Sequence, residues 1–317
     1  MSRRHELEQR LRKLGEIGEI MRSMKNLALM ETRKLARFLD VQGESVRLIE
    51  AVAVDFLQFH PQLALPLPVG QQALLVIGAE RGFCGDFNEE LLQALAGDAS
   101  PILAVGGKLG ARLEKHPAVA GQFDGSSVGE DVPGILNQLL PAIRRLQDSR
   151  DCPGLTVLHH RSGVEGVVRK PLLPPFGQYL GPNTATDGKT VDIGNPLPPG
   201  EGAERASPLV TTTPPPQVVN ISAPGTQYPP LLNLEPERFF AELVHHYLFA
   251  ALHEIFYTSL MAENQRRIQH LEGAIQRLEE KNEELARKSR TLRQEEITEE
   301  IEVILLSVEG AVRLSER

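Results

Sequence analysis

The chain has 317 residues and a formal net charge of −8, with no Trp and 5% aromatic residues. This length suits one sizeable core, or a core with extended elements. Mild acidity and scarce aromatics exclude a dedicated nucleic-acid binder, which carries a basic face or stacking rings. Two cysteines far apart, Cys84 and Cys152, exclude a disulfide framework and fit a reducing compartment.

The first residues run directly into charged helical sequence, without an apolar stretch of signal-peptide type. No run approaches the roughly 20 apolar residues that span a bilayer, so direct membrane insertion is not expected. All 23 prolines lie between Pro61 and Pro236. Proline breaks a helix interior at about 3 kcal/mol, so residues 1–60 and 236–317 read as two long helices.

In the N-terminal helix Leu7, Leu11, Leu14, Gly18, Met21, Lys25, Ala28, Thr32, Leu35 and Leu39 recur at coiled-coil spacing. Ile17, Ile20, Met24 and Leu27 form a second apolar stripe beside them. One stripe serves the mate and the other is free for something else.

Residues 70–170 alternate between strand and helix. Strands are expected at Gln72–Gly78, Ile102–Gly106 and Leu155–His159, with a short edge strand at Gly121–Asp124. Helices are expected at Phe87–Ala96, Lys108–His116 and Ile135–Gln147. Such alternation gives a parallel, doubly wound α/β (Rossmann-like) domain. Residues 171–232 are dense in Pro, Gly, Thr and Asn and read as an excursion without regular elements. In the last segment Leu271, Leu278, Leu285 and Leu292 recur every seven residues. Ile268, Ile275, Asn282 and Ser289 take the alternate positions. A phase shift then starts a new stripe at Ile297, Ile301, Ile304 and Val308. The fold class is therefore α+β: a long antiparallel coiled coil of the two terminal helices, with the α/β domain inserted between them.

The doubly wound pattern invites a nucleotide, but the loops argue otherwise. Gly78-Ala79-Glu80-Arg81-Gly82-Phe83-Cys84-Gly85 lacks the dinucleotide fingerprint, and no Ser or Thr follows the lysine of Gly106-Gly107-Lys108. The pairs His159-His160 and His245-His246 lack a further ligand at i+4 and read as surface or helix-packing histidines. Cys84 reads as a small apolar residue in a tight turn. The heptad leucines lack the basic region of a DNA-binding zipper. No catalytic, cofactor or metal site is expected.

Particular residues carry a family resemblance. Ile20-Met21-Arg22-Ser23-Met24-Lys25-Asn26-Leu27-Ala28 resembles the N-terminal signature of the ATP synthase gamma chain. Glu80 through Asn88 resembles that family's segment after the first strand. Pro171-Leu172-Leu173-Pro174, Leu234-Glu235-Pro236 and Ala262-Glu263-Asn264-Gln265-Arg266-Arg267 are similar to later motifs. Arg293-Gln294-Glu295-Glu296-Ile297-Thr298-Glu299-Glu300-Ile301-Glu302 is similar to the closing one. The matches occur in order and cover the chain except 175–232. Leu29, Met30 and Glu31 stand where the family carries small residues, which suggests looser packing there, and Asp86 stands for a turn glycine.

The resemblance implies the central stalk of a rotary ATP synthase. The partners are then alpha and beta subunits, an epsilon subunit and a membrane c-ring, on the cytoplasmic face of a prokaryotic inner membrane. It implies that Arg293, Gln294 and Thr298 touch a beta subunit, with Met24 and Lys25 on the opposing helix near that level. Glu235 would lie at the foot, near the membrane ring. The rival reading is a non-rotary coiled-coil scaffold with an inserted α/β domain. Residues 178–226 hold few apolar anchors. Deleting most of them should leave assembly with the alpha and beta subunits intact, as co-purification would check.

Overall fold

A computed structural model describes residues 3–64, 72–150, 152–163, 166–176, 229 and 231–315. The expected excursion over 171–232 therefore lies mostly outside the described residues. Helix α1 spans Arg3–Phe59. Strand β1 (Gln72–Ile77) leads to α2 (Phe87–Ala94), and β2 (Ile102–Val105) to α3 (Gly107–Leu113). Strand β3 (Val119–Phe123) precedes α4 (Val132–Arg150), β4 (Gly154–His160) and β5 (Val167–Leu173). Helix α5 runs from Pro236 to Ser315, 80 residues. Pro236 is its first residue, where proline's missing N–H costs nothing.

Helices α1 and α5 pack antiparallel along the predicted stripes. Met21 meets Leu271 and Ile275, and Leu35 meets Leu260 and Met261. Lower down, Phe56 stacks on Phe240 with ring centroids 5.9 Å apart. At Gly18 a Cβ would stand 3.3 Å from Leu278 Cδ2, so the glycine lets the helices close up. Gln42 donates across the pair to the Ala250 carbonyl at 3.0 Å.

The five strands lie in the order β3-β2-β1-β4-β5. The first four are mutually parallel and β5 is antiparallel to β4. The sheet is thus mostly rather than wholly parallel, and β5 occupies residues 171–173 that composition assigned to the excursion. One face, with Leu75, Ile77, Leu103 and Val157, packs on α4 and on the lower halves of α1 and α5. The other, with Leu74, Val76, Ile102 and Leu158, packs on α2 and α3. Burial on both faces explains the continuous apolar runs of β1 and β2.

At the carboxyl ends of β1, β2 and β3 one side chain ties the loops together. Glu80 Oε2 accepts the N–H groups of Gly107 and Gly125, each at 2.7 Å. Gly106 has φ +114, and a Cβ there would lie 2.7 Å from the Gly78 carbonyl oxygen. Asp86, at the N-cap of α2, has φ −85 and needs no glycine. The left-handed positions of that turn are Phe83 and Gly85.

The two adjacent histidines of β4 are buried rather than surface residues, at 4% and 2% exposure. His160 Nε2 bonds the Phe87 carbonyl at 2.8 Å, and His159 Nδ1 the His160 carbonyl at 2.9 Å. The strand is buried on both faces, so alternation places neither in solvent.

Replacing Glu80 with Ala leaves both amides without their carboxylate. It should cost about 3 kcal/mol in urea unfolding, and Glu80→Gln, which keeps an acceptor, clearly less. Burial lowers the pKa of His159 to about 4. The unfolded imidazole, near 6.5, binds its proton first. Stability is therefore full above pH 6.5 and is lost as pH falls toward 4, by roughly 3 kcal/mol in total. Unfolding midpoints of the chain and of His159→Gln should diverge across that window.

Candidate partner-contact surface

A doubly wound sheet binds ligands in the crevice at the carboxyl ends of its strands. Here the first two N–H groups of α3 are already used. The Gly107 amide is held by Glu80, and the Lys108 N–H donates to the Ala79 carbonyl at 3.2 Å. A carboxylate of the chain itself thus stands where a phosphate would need to be. Cys84 is buried, and its thiol is pushed up to about 12, first by burial and then by Glu263. It is no nucleophile at neutral pH. His245 and His246 are exposed on α5.

Sequence reasoning missed the ion pair below Cys84. Glu263 and Arg267, on successive turns of α5, are 3% and 5% exposed and bonded to each other. Arg267 also donates to the Gly82 carbonyl at 3.3 Å, to Asn264 Oδ1 at 2.8 Å and to Cys84 Sγ at 3.4 Å. Burial is the largest influence on Glu263 and raises its pKa, while Arg267 opposes the rise. Arg266 grips Glu90 at the start of α2 with both terminal nitrogens, at 2.5 and 2.9 Å. These contacts fix the α/β domain on α5. The adjacent motif residues were visible, but their partner loop lies about 180 residues away in sequence.

Exposed apolar residues gather on both long helices. Ile17, Ile20, Leu27 and Met30 on α1 are 46–67% exposed. They are largely the second stripe of the sequence. Leu27 and Met30 join Met24, Arg81, Asn264 and Arg267 around a cleft of about 360 Å³ between the helix pair and the domain loops. On α5, Ile297, Ile301, Val303, Ile304 and Leu305 are 47–66% exposed.

The pairing register explains that second patch. Arg22 meets Glu279 at 2.6 Å and Lys25 meets Glu272 at 3.1 Å. Continued upward, this register brings the start of α1 level with the turn Arg293–Thr298. Beyond it α5 goes on to Ser315. Arg293, Gln294 and Thr298 are exposed there, and the Thr298 hydroxyl donates to the Gln294 carbonyl at 2.9 Å. Glu235 is exposed at the opposite end, its carbonyl accepting the Phe239 N–H.

One expectation needs correction. Met24 and Lys25 are not level with Arg293. Lys25 is held beside Glu272, 21 residues earlier on α5, or about 31 Å down the helix. Resemblance orders the motifs along the chain, whereas the antiparallel register of α1 on α5 sets their level. Of the residues that replace small ones, Met30 is 67% exposed, but Glu31 is packed: it is 8% exposed, and its Oε1 accepts the Gly129 N–H at 2.6 Å.

No curated protein matches the sequence. Solved structures do match in fold. A chain in the rotor of the Euglena gracilis mitochondrial ATP synthase, rotational state 1, is 14% identical with a TM-score of 0.56. The match covers 93% of this chain and 98% of that one. A chain of the OSCP/F1/c-ring assembly from the same source, rotational state 3, is 15% identical with a TM-score of 0.60. There the coverage is 99% of this chain and 96% of that one. Among the described residues no helix is long and apolar enough to cross a membrane. A family model described as ATP synthase matches residues 3–310, nearly the whole length, and the chain therefore belongs to the ATP synthase gamma chain family.

Proposed function

We propose that this chain turns as the central shaft of a rotary ATP synthase, passing rotation of a membrane c-ring to conformational change in the catalytic beta subunits. The observation that carries this reading is the exposed apolar stretch of α5. A helix that exposes Ile297, Ile301, Val303 and Leu305 within three turns suits an apolar partner surface. A ring of alpha and beta subunits supplies one. Rotation then presents different faces of the shaft to each beta subunit, and differential contact with its conformers shifts nucleotide affinity.

The α1–α5 pairing is read as an antiparallel coiled coil, supported by Leu271, Ile275 and Leu285 turning inward. The working division is 1–60 and 236–317 for the shaft, 70–170 for the α/β domain and 171–232 for the excursion. The domain and the lower coil face the c-ring and an epsilon subunit, with Glu235 at the foot. Arg293, Gln294 and Thr298 form a polar catch against a beta subunit. Met24 and Lys25 form a second contact about 31 Å lower. The complex is placed on the cytoplasmic face of a prokaryotic inner membrane, the shaft itself staying outside the bilayer.

Arginine offers five donors in a rigid fork, so Arg293 suits a carboxylate or several carbonyls on the beta subunit. Losing such a charge-assisted contact in a state on the catalytic path should slow turnover about tenfold. Arg293→Ala with Gln294→Ala should therefore slow ATP hydrolysis by the detached head and by the whole enzyme alike. Glu235→Ala should leave head hydrolysis nearly untouched and weaken ion pumping in vesicles. Equal proportional losses of both activities in both variants would overturn the assignment of tip and foot.

A further inference from the structure

The α/β domain meets the helix pair through two different kinds of tie. Low on the shaft the contact is apolar, with Val46, Ala53 and Phe56 of α1 in one cluster with Val132, Ile135 and Leu139 of α4. Higher up the ties are polar and few. On α5 the upper ties are Arg267 to the Gly82 carbonyl and Arg266 to Glu90. On α1 it is Glu31, which accepts the Gly129 N–H at 2.6 Å. Lys34, one turn on, reaches Glu31 at 3.5 Å and pairs with Glu130 of the same domain turn. Gly129 is pressed directly on α1: a Cβ there would stand 3.1 Å from the Phe38 ring and 3.2 Å from Leu35 Cδ2. Phe38 in turn packs on Tyr257 of α5, with centroids 5.4 Å apart. Nearer the tip, Lys25 and Arg22 of α1 pair with α5 instead.

We infer that Glu31, with Lys34, is the α1 half of a collar, Arg267 being the α5 half, that makes the domain turn with both helices of the shaft. Without it, α1 is joined to the domain by apolar packing, low on the shaft and at Gly129 against Leu35 and Phe38, which resists pulling apart but allows sliding. A sliding helix lets the foot turn without the tip. Glu31 is thus a positioning residue for coupling. It stands where the resemblance predicts a small residue, so the tie is a property of this chain. The inference rests on the shaft reading given above.

The test uses the chain assembled with its alpha and beta subunits and membrane ring. Glu31→Ala, Glu31→Gln and Lys34→Met are compared. Hydrogen exchange at the peptide spanning 125–132 reads the tie directly, and ions transported per ATP hydrolysed reads coupling. Glu31→Ala should speed exchange there, keep detached-head hydrolysis within twofold, and halve the ions moved per ATP or worse. Glu31→Gln, which keeps an acceptor for the amide, should restore both readings most of the way. Lys34→Met should shift both in the same direction by less, and it stands in should Glu31→Ala not assemble. Faster exchange with an unchanged ion-to-ATP ratio overturns the collar while leaving the shaft reading intact. Failure of the unaltered chain to assemble with alpha and beta subunits would instead sink the shaft reading.

Discussion

Everything in this structure depends on α1 lying along α5. An isolated helix in water gains little from propensity alone, and most of its stability comes from burying an apolar stripe. Leu271, Ile275 and Leu285 of α5 find that burial only against α1. Because the mates are the two ends of one chain and run antiparallel, whatever lies between them must leave and return at the same level. That requirement makes the α/β domain an insertion, placed beside the lower half of the pair. Its sheet in turn covers the sides of α1 and α5 that their mutual packing leaves bare.

The junction between domain and shaft is held by charge as much as by oil. Burying Glu263 and Arg267 carries a desolvation cost that their attraction does not easily exceed, so the pair is weak evidence for added stability. Its value lies in direction. An apolar surface tolerates small rotations, whereas a guanidinium that must meet Gly82, Asn264 and Glu263 together fixes one orientation. Glu31 and Glu80 work the same way, each carboxylate accepting backbone amides from loops that would otherwise be free to shift. Glu263 and Glu31 thus convert a packed contact into a located one, while Glu80 locates the loops within the domain.

Much of this was legible in the sequence because it is periodic. Proline-free ends and seven-residue leucine spacing marked both helices, and the alternating apolar runs marked β1, β2, α4 and β4. Strand β5 was missed because it straddles residue 171, where the Pro- and Gly-dense composition begins, and carries Arg169, Lys170 and Pro171. An edge strand tolerates such residues, since its outer N–H groups have no partner to lose. The histidines of β4 were misread because burial on both faces is a property of the sheet, not of the dipeptide. The carboxylate ties were invisible for a simpler reason: Glu31 and Gly129 are 98 residues apart, and no local pattern announces the pairing. The tip residues were named by resemblance, while their separation from Met24 and Lys25 required the register that only packing sets.

The exposed residues follow from the same geometry. Helix α1 opens at Arg3, level with Arg293 in the pairing register, and past that level Ile297, Ile301 and Val303 of α5 are exposed. The second stripe of Ile17, Ile20 and Leu27 on α1 is exposed as well. A chain that stood alone would gain by making both polar, since a large exposed apolar patch invites aggregation. Retaining them has a physical rationale only if other subunits close around this end. The base of the shaft is held by its own domain and the tip is left for partners, so one continuous helix can be fixed at one end and read at the other.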